Sequence, residues 1–132
     1  MKRKFAALMC ALTLCTGLVL PAAAAGFTDV SAGSWYESAG QEAVEHGSMT
    51  GVSDTLFAPN GQVTKATVSV SLWRMEGQPT PAQQNHFPDV APDSWYAAAA
   101  NWAGAAEIIQ GTDKGAFSDG VVTRQELAVI LT

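Results

Sequence analysis

Cysteine occurs at two positions only, Cys10 and Cys15, and both fall within the first 25 residues. Residues 26–132 hold none, which excludes disulfides and thiolate metal sites from that part of the chain. Basic residues are scarce too. Three of the seven, Lys2, Arg3 and Lys4, stand at the N-terminus, so Lys65, Arg74, Lys114 and Arg124 face all twelve carboxylates beyond it. Four against twelve is a poor surface for nucleic acid or an anionic membrane, both of which reward clustered cations. The two histidines, His46 and His86, have no partners at metal-ligand spacing and are expected to face solvent. There is no Gly-x-Ser-x-Gly, His-Glu-x-x-His or phosphate-cradling loop. The stretch from Asp113 to Arg124 fails as a calcium loop, with Ser118 at its sixth place and Arg124 at its twelfth. No metal, no cofactor and no catalysis are expected.

Long apolar runs are confined to the start. Phe5 to Leu20 follows the three cations and precedes Pro21 and four alanines, the pattern of a secretory signal peptide over residues 1–25. Cleavage is expected after Ala24 or Ala25. The run is short for a membrane span, and Met9 and Leu14 before the cysteines disfavour lipidation. A secreted chain with no transmembrane span after leader removal is the expectation.

What the rest contains is a duplication. Phe27-Thr-Asp-Val-Ser-Ala-Gly-Ser-Trp-Tyr36 returns as Phe87-Pro-Asp-Val-Ala-Pro-Asp-Ser-Trp-Tyr96, with six of ten positions identical. Gly51 answers to Gly111, Phe57 to Phe117, and, after one deletion, Val63-Thr-Lys-Ala to Val122-Thr-Arg-Gln. A chain that repeats itself builds its fold from copies of one unit. The copies run over 26–76 and 87–132, joined by a polar, proline-bearing linker at 77–86.

Each copy reads as helix, glycine-bearing loop, helix. Ser34 and Ser94 are placed as N-caps of the first helices, Ser34 with Glu37 forming a capping box. Trp35, Ala39, Ala43 and Val44 then share a face, and Gly47 is a plausible terminator. Leu56-Phe57 and Ala116-Phe117 suggest short extended pieces within loops that are otherwise turn. The second helices open at Thr64 and Thr123, the latter with Glu126 in a capping box. The first of them is apolar on two stripes, Ala66/Val70/Trp73 and Val68/Leu72/Met75, and so expects neighbours on more than one side. The fold class is mainly α: tandem helix-loop-helix units packing into a bundle.

These residues resemble the S-layer homology module. The resemblance is carried by Phe-x-Asp-Val with Trp eight residues after the Phe, the mid-repeat Gly, the Phe before a turn, and Val-Thr-Arg-Gln-Glu opening the second helix. It covers 27–76 and 87–132. It implies modules that assemble, usually in threes, into a spindle with grooves between prongs. It further implies non-covalent binding to secondary cell wall polysaccharide, often capped by a pyruvylated sugar, or to peptidoglycan-linked glycan. Two modules are present, the second C-terminally short, which leaves self-association into a homo-oligomer open. The alternatives are a protein-protein assembly module of the cell surface and the anchoring fragment of a longer wall enzyme.

Candidate glycan-binding residues follow. Arg124, in the first turn of a helix, can take an anion through two parallel hydrogen bonds, or can pair with Asp89 or Glu126. Lys65, its counterpart, offers a point charge, so the first copy's site is expected to be the weaker. Asp29 and Asp89 either accept sugar hydroxyls or fix a turn. Trp35 and Trp95 either stack on a sugar or pack inside. Gly51 and Gly111 either admit a ligand to the backbone or adopt positive φ. Thr64, Thr123 and Glu126 are read chiefly as caps.

Overall fold

The computed structural model describes residues 26–132, so the expected leader lies outside the described residues. It is mainly helical: α1 (Glu37–Glu45), α2 (Lys65–Met75), α3 (Ala97–Ala105) and α4 (Arg124–Ile130). The first helices begin two residues later than the serine caps imply. Tyr36 and Tyr96 occupy the N-cap positions without side-chain caps, and the hydroxyls of Ser34 and Ser94 are buried with no partner among the described residues. Both serines are therefore not caps. The Ser-Trp-Tyr run is itself a turn, closed by Glu37 N–H to Ser34 O and Ala97 N–H to Ser94 O at 3.1 Å each. Glu37 instead accepts from the Gly33 amide. The second helices open at their threonines. Thr64 Oγ1 accepts from the Thr67 amide, and Thr123 and Glu126 form a reciprocal capping box.

Within each copy one loop is tied down in the same way. Asp29 accepts from the amides of Phe57 and Ala58 at 2.9 and 2.7 Å, and Asp89 from those of Phe117 and Ser118 at 2.7 and 2.8 Å. These bonds hold Ala58 and Ser118 at φ 58° and 51°, a region a side chain enters only when its surroundings over-determine it. The aspartate brings the two phenylalanines of its copy together, with ring centroids 5.4 Å apart for Phe27–Phe57 and 5.2 Å for Phe87–Phe117. Leu56 and Ala116 do not form strands. Their carbonyls accept from Val52 and Thr112, 2.8 Å each, and close the loops.

Extended pairing occurs between the copies instead. Thr64 bridges Val121 in antiparallel fashion, with Val122 N–H to Val63 O at 2.9 Å and Lys65 N–H to Gly120 O at 3.0 Å. Asp119 adds a cap from the second copy onto the first copy's helix, through the Ala66 amide at 3.0 Å. The first three amides of α2 are thereby all satisfied.

The helices that pack side by side are α2 and α3, one from each copy; among the described residues no other pair lies backbone to backbone. Small residues make this approach close: Ala66, Ser69 and Val70 on α2 are buried, as are Ala97, Ala99, Ala100, Ala103 and Gly104 on α3. The buried Ser69 hydroxyl is satisfied by the Lys65 carbonyl at 2.8 Å. Phe87, Phe117, Val90 and Ile109 complete the core, with Tyr96, Trp102, Ile108 and Ile130 packed on it. The linker is pinned at both ends, by Trp73 Nε1–H to the Pro79 carbonyl and by the His86 amide to Asn101 Oδ1. His86 is accordingly half-buried, its ring edge against Phe87, rather than facing solvent.

Candidate functional site

Two open grooves lie on the first copy's side of the α2–α3 junction. One, of about 420 Å³, runs between the loop Met49–Val52, the α2 face Thr67/Val70/Ser71/Arg74 and Trp95 of the second copy. The α2 residues recur at helical spacing, so two hydroxyls, one methyl-bearing wall and one guanidinium line up along a single face. Trp95 is 68% exposed and Trp35 is 92% exposed. Neither is packed inside, and Trp95 lines this groove. Its ring is held edge-on by Tyr96 at 5.4 Å, which leaves a face free for a planar or pyranose partner.

Gly51 belongs to this groove's rim. It does not adopt positive φ, and neither does Gly111. A Cβ on Gly51 would collide with the Phe27 ring and with the carbonyl oxygens of Ser53 and Leu56, so glycine is required there by close packing. Gly111 is under milder pressure of the same kind, 3.1 Å from the Ala116 carbonyl and the Phe87 ring.

Arg74 is the residue that reading the sequence overlooked. Among the described residues it has no carboxylate within ion-pair distance. It is half-buried at the end of α2 and reaches both this groove and a second one. A signal was available: Thr67, Ser71 and Arg74 form a polar stripe at i, i+4 and i+7 between the two apolar ones.

The second copy's equivalent cleft is smaller, about 150 Å³, and chemically different. Glu126, Val129 and Ile130 stand where α2 has Thr67, Val70 and Ser71, and Ile109 and Gln110 where the first copy has Met49 and Thr50. Lys65 enters it and pairs with Glu126 at 3.5 Å. That pair spends the lysine charge and puts a carboxylate where an anion would sit. The Thr123 amide, then the Thr123 hydroxyl and the Lys65 charge, hold the Glu126 carboxyl below its usual range, so it stays ionised. Arg124 is exposed on the first turn of α4, pairs with neither Asp89 nor Glu126, and lines none of these grooves.

Asp29 and Asp89 have both oxygens committed to loop amides. The Phe57 amide, with that of Ala58, holds Asp29 below the ordinary carboxylate range. Burial pushes Asp89 up, but the amides of Ser118 and Phe117, aided by the Lys65 charge, outweigh it and leave Asp89 lowered as well. Both carboxylates are occupied as loop staples. Among the described residues no cluster of His, Asp or Glu is arranged to hold a metal ion, and no helix is long and apolar enough to cross a membrane.

Comparison with known proteins gives this arrangement a lineage. The chain is 33% identical over 122 residues to the S-layer protein EA1 of Bacillus anthracis, covering 87% of this chain and 14% of that protein. It is 32% identical over 113 residues to the surface-layer 125 kDa protein of Lysinibacillus sphaericus, covering 80% and 9%. It is 34% identical over 80 residues to an amylopullulanase of Thermoanaerobacterium thermosulfurigenes, covering 61% and 4%. The chain thus spans a small fraction of these curated relatives. No solved structure matches it. The family model described as the S-layer homology domain matches twice, at residues 26–68 and 86–128, and each match contains one aspartate staple, one phenylalanine pair and the threonine-capped start of a second helix. By that double match the chain belongs to the S-layer homology family.

Proposed function

We propose that this chain is a non-catalytic module that holds its protein on a bacterial surface by binding an acidic wall glycan. Secondary cell wall polysaccharide, with pyruvylated ends as one form, is the ligand class; peptidoglycan-linked glycan is the variant. Family membership supports the surface role. Relatives with quite different bodies, surface-layer proteins and a polysaccharide-degrading enzyme by their names, share this small part with it. In this reading each further repeat adds its first helix to the preceding second helix, as α3 does on α2, and so extends a common bundle. Secretion to the cell wall follows from the same reading.

The observation that carries the ligand class is the 420 Å³ groove, which joins a guanidinium with no carboxylate partner among the described residues, two hydroxyls and an exposed indole face. Guanidinium takes a carboxylate or phosphate oxygen pair in fork geometry, hydroxyls exchange hydrogen bonds with sugar hydroxyls, and an indole covers the apolar face of a pyranose. Because the protein is acidic, attraction for the anion is local to that groove.

Sedimentation with purified cell-wall sacculi tests the proposal. The protein is expected to pellet, and to stay in solution once the wall polysaccharide has been stripped by acid. Arg74→Ala and Trp95→Ala are expected to reduce retention most, Arg124→Ala less, and Lys65→Ala least, because the Lys65 charge is already taken by Glu126. Retention of all four variants at the level of the parent protein sinks the site.

A further inference from the structure

The Arg74 side chain forms part of two grooves at once. The second, of about 500 Å³, lies between α1 and the end of α2 and is lined by Ala39, Glu42, Ala43, His46, Ser48 and Met75 beside Arg74. From the geometry we infer that the ligand is an anionic oligosaccharide of at least two sugar units. Its charged unit lies at Arg74 in the Trp95 groove, and the adjoining unit lies in the α1–α2 groove. This rests on the glycan-binding reading above and extends it to a site of two sub-clefts with one shared cation.

The two sub-clefts divide the work by chemistry. The Trp95 side offers hydroxyl donors and an aromatic face. The α1 side is lined by the apolar side chains of Ala39, Ala43 and Met75 and by the polar Glu42, His46 and Ser48. Ser48 Oγ donates to the Ala43 carbonyl at 3.0 Å, so that hydroxyl is engaged within the lining, while Glu42 and His46 are exposed 3.9 Å apart. A carboxylate in that lining, Glu42, disfavours a second anionic group there and fits a neutral sugar with an apolar face or substituent. The guanidinium carries five N–H donors in a rigid fork, enough to hold an anion on one side and a sugar oxygen on the other. Each groove falls within the size range of small-ligand sites, roughly 300–1,000 Å³, so together they hold more than one ring.

Fragments released from purified sacculi by mild acid, size-fractionated to one acidic sugar and to three sugars, serve as probes in isothermal titration. The parent protein is expected to bind the three-sugar fragment at least tenfold more tightly than the single sugar. Ala39→Phe, an exposed helix position that narrows only the α1 groove, is expected to abolish that difference while leaving single-sugar affinity unchanged. Arg74→Ala is expected to weaken both fragments, and an unchanged thermal midpoint checks the fold of each variant. Equal affinity of the parent for the two fragments, or an Ala39→Phe variant that keeps the tenfold preference, overturns the two-cleft inference while leaving the glycan reading intact. Loss of all binding by the parent overturns both.

Discussion

The two copies carry the same staple and the same aromatic pair, yet only one of them has an interior. Phe87 and Phe117 are 2% and 0% exposed, while Phe27 and Phe57 remain half-buried at nearly the same ring separation. α3 has six buried residues and α1 has none. The difference is α2: it lies along α3 and puts Ala66 into the second copy's core, whereas no helix of the described residues lies along α1. Local motif sets the shape of the loop, and a neighbouring helix decides how much of it leaves water. Composition follows suit. Ala97, Ala100, Asn101 and Trp102 in α3 replace Glu37, Gly40, Gln41 and Glu42 in α1.

The strongest way to break this comparison is to truncate the matching rings. Phe117→Ala is expected to cost about 3–5 kcal/mol, most of the stability of a domain this size. Phe57→Ala, already part-wet, is expected to cost roughly 1–2 kcal/mol. Urea melts followed by tryptophan fluorescence measure both, and equal losses would refute the idea that α2 makes the second core.

Removing a staple comes next. Asp89→Ala strands two loop amides and releases the strained Ser118, with an expected fall in Tm of about 5 °C. Asp29→Ala, in the wetter copy, is expected to lower Tm by less. Differential scanning calorimetry ranks them.

The same carboxylates set the acid limb. Their folded-state pKa values lie below the unfolded value of 3.8, so their contribution is fully present above about that pH. It is lost as pH falls through the lowered values. Glu126, lowered from 4.5, adds a contribution that starts to fade at higher pH, so a Tm-versus-pH profile is expected to begin falling below about pH 4.5 and to steepen below 3.8. Asp89→Asn is expected to flatten the part below 3.8 more than Lys65→Met, which removes only the minor charge at Asp89.

The smallest effect compares the ends of the first helices. Gly47 sits at φ 70°, and its counterpart Glu107 holds φ 59° at the steric expense of a side chain. Gly47→Ala is expected to destabilise by about 1 kcal/mol, and Glu107→Gly to stabilise by less than that because glycine also loosens the unfolded chain. Paired thermal melts read both.

Much of this was legible beforehand, and the misses have physical causes. Duplication exposed the repeat, and Thr123 with Glu126 announced a helix start because a capping box is local, needing only four residues in a row. Ser34 and Ser94 misled because a serine three residues before an acidic or small residue also suits a tight turn, and Trp-Tyr spends its two residues completing that turn. The role of the aspartates depended on atoms 28 residues away in the chain, which no local pattern encodes. Arg74 was hidden for a related reason: a cation at the end of a helix reads as solvated until a neighbouring copy places Trp95 across from it.

The sequence alone determined the repeat unit, its family, the second-helix caps and the scarcity of cations, because each depends on residues close together or on counting. Tertiary structure decided which copy owns a core, which lysine is already paired and where the Arg74 guanidinium meets open grooves. Those outcomes depend on which surfaces the α2–α3 contact brings together, and burial and charge pairing are properties of neighbours in space rather than in sequence.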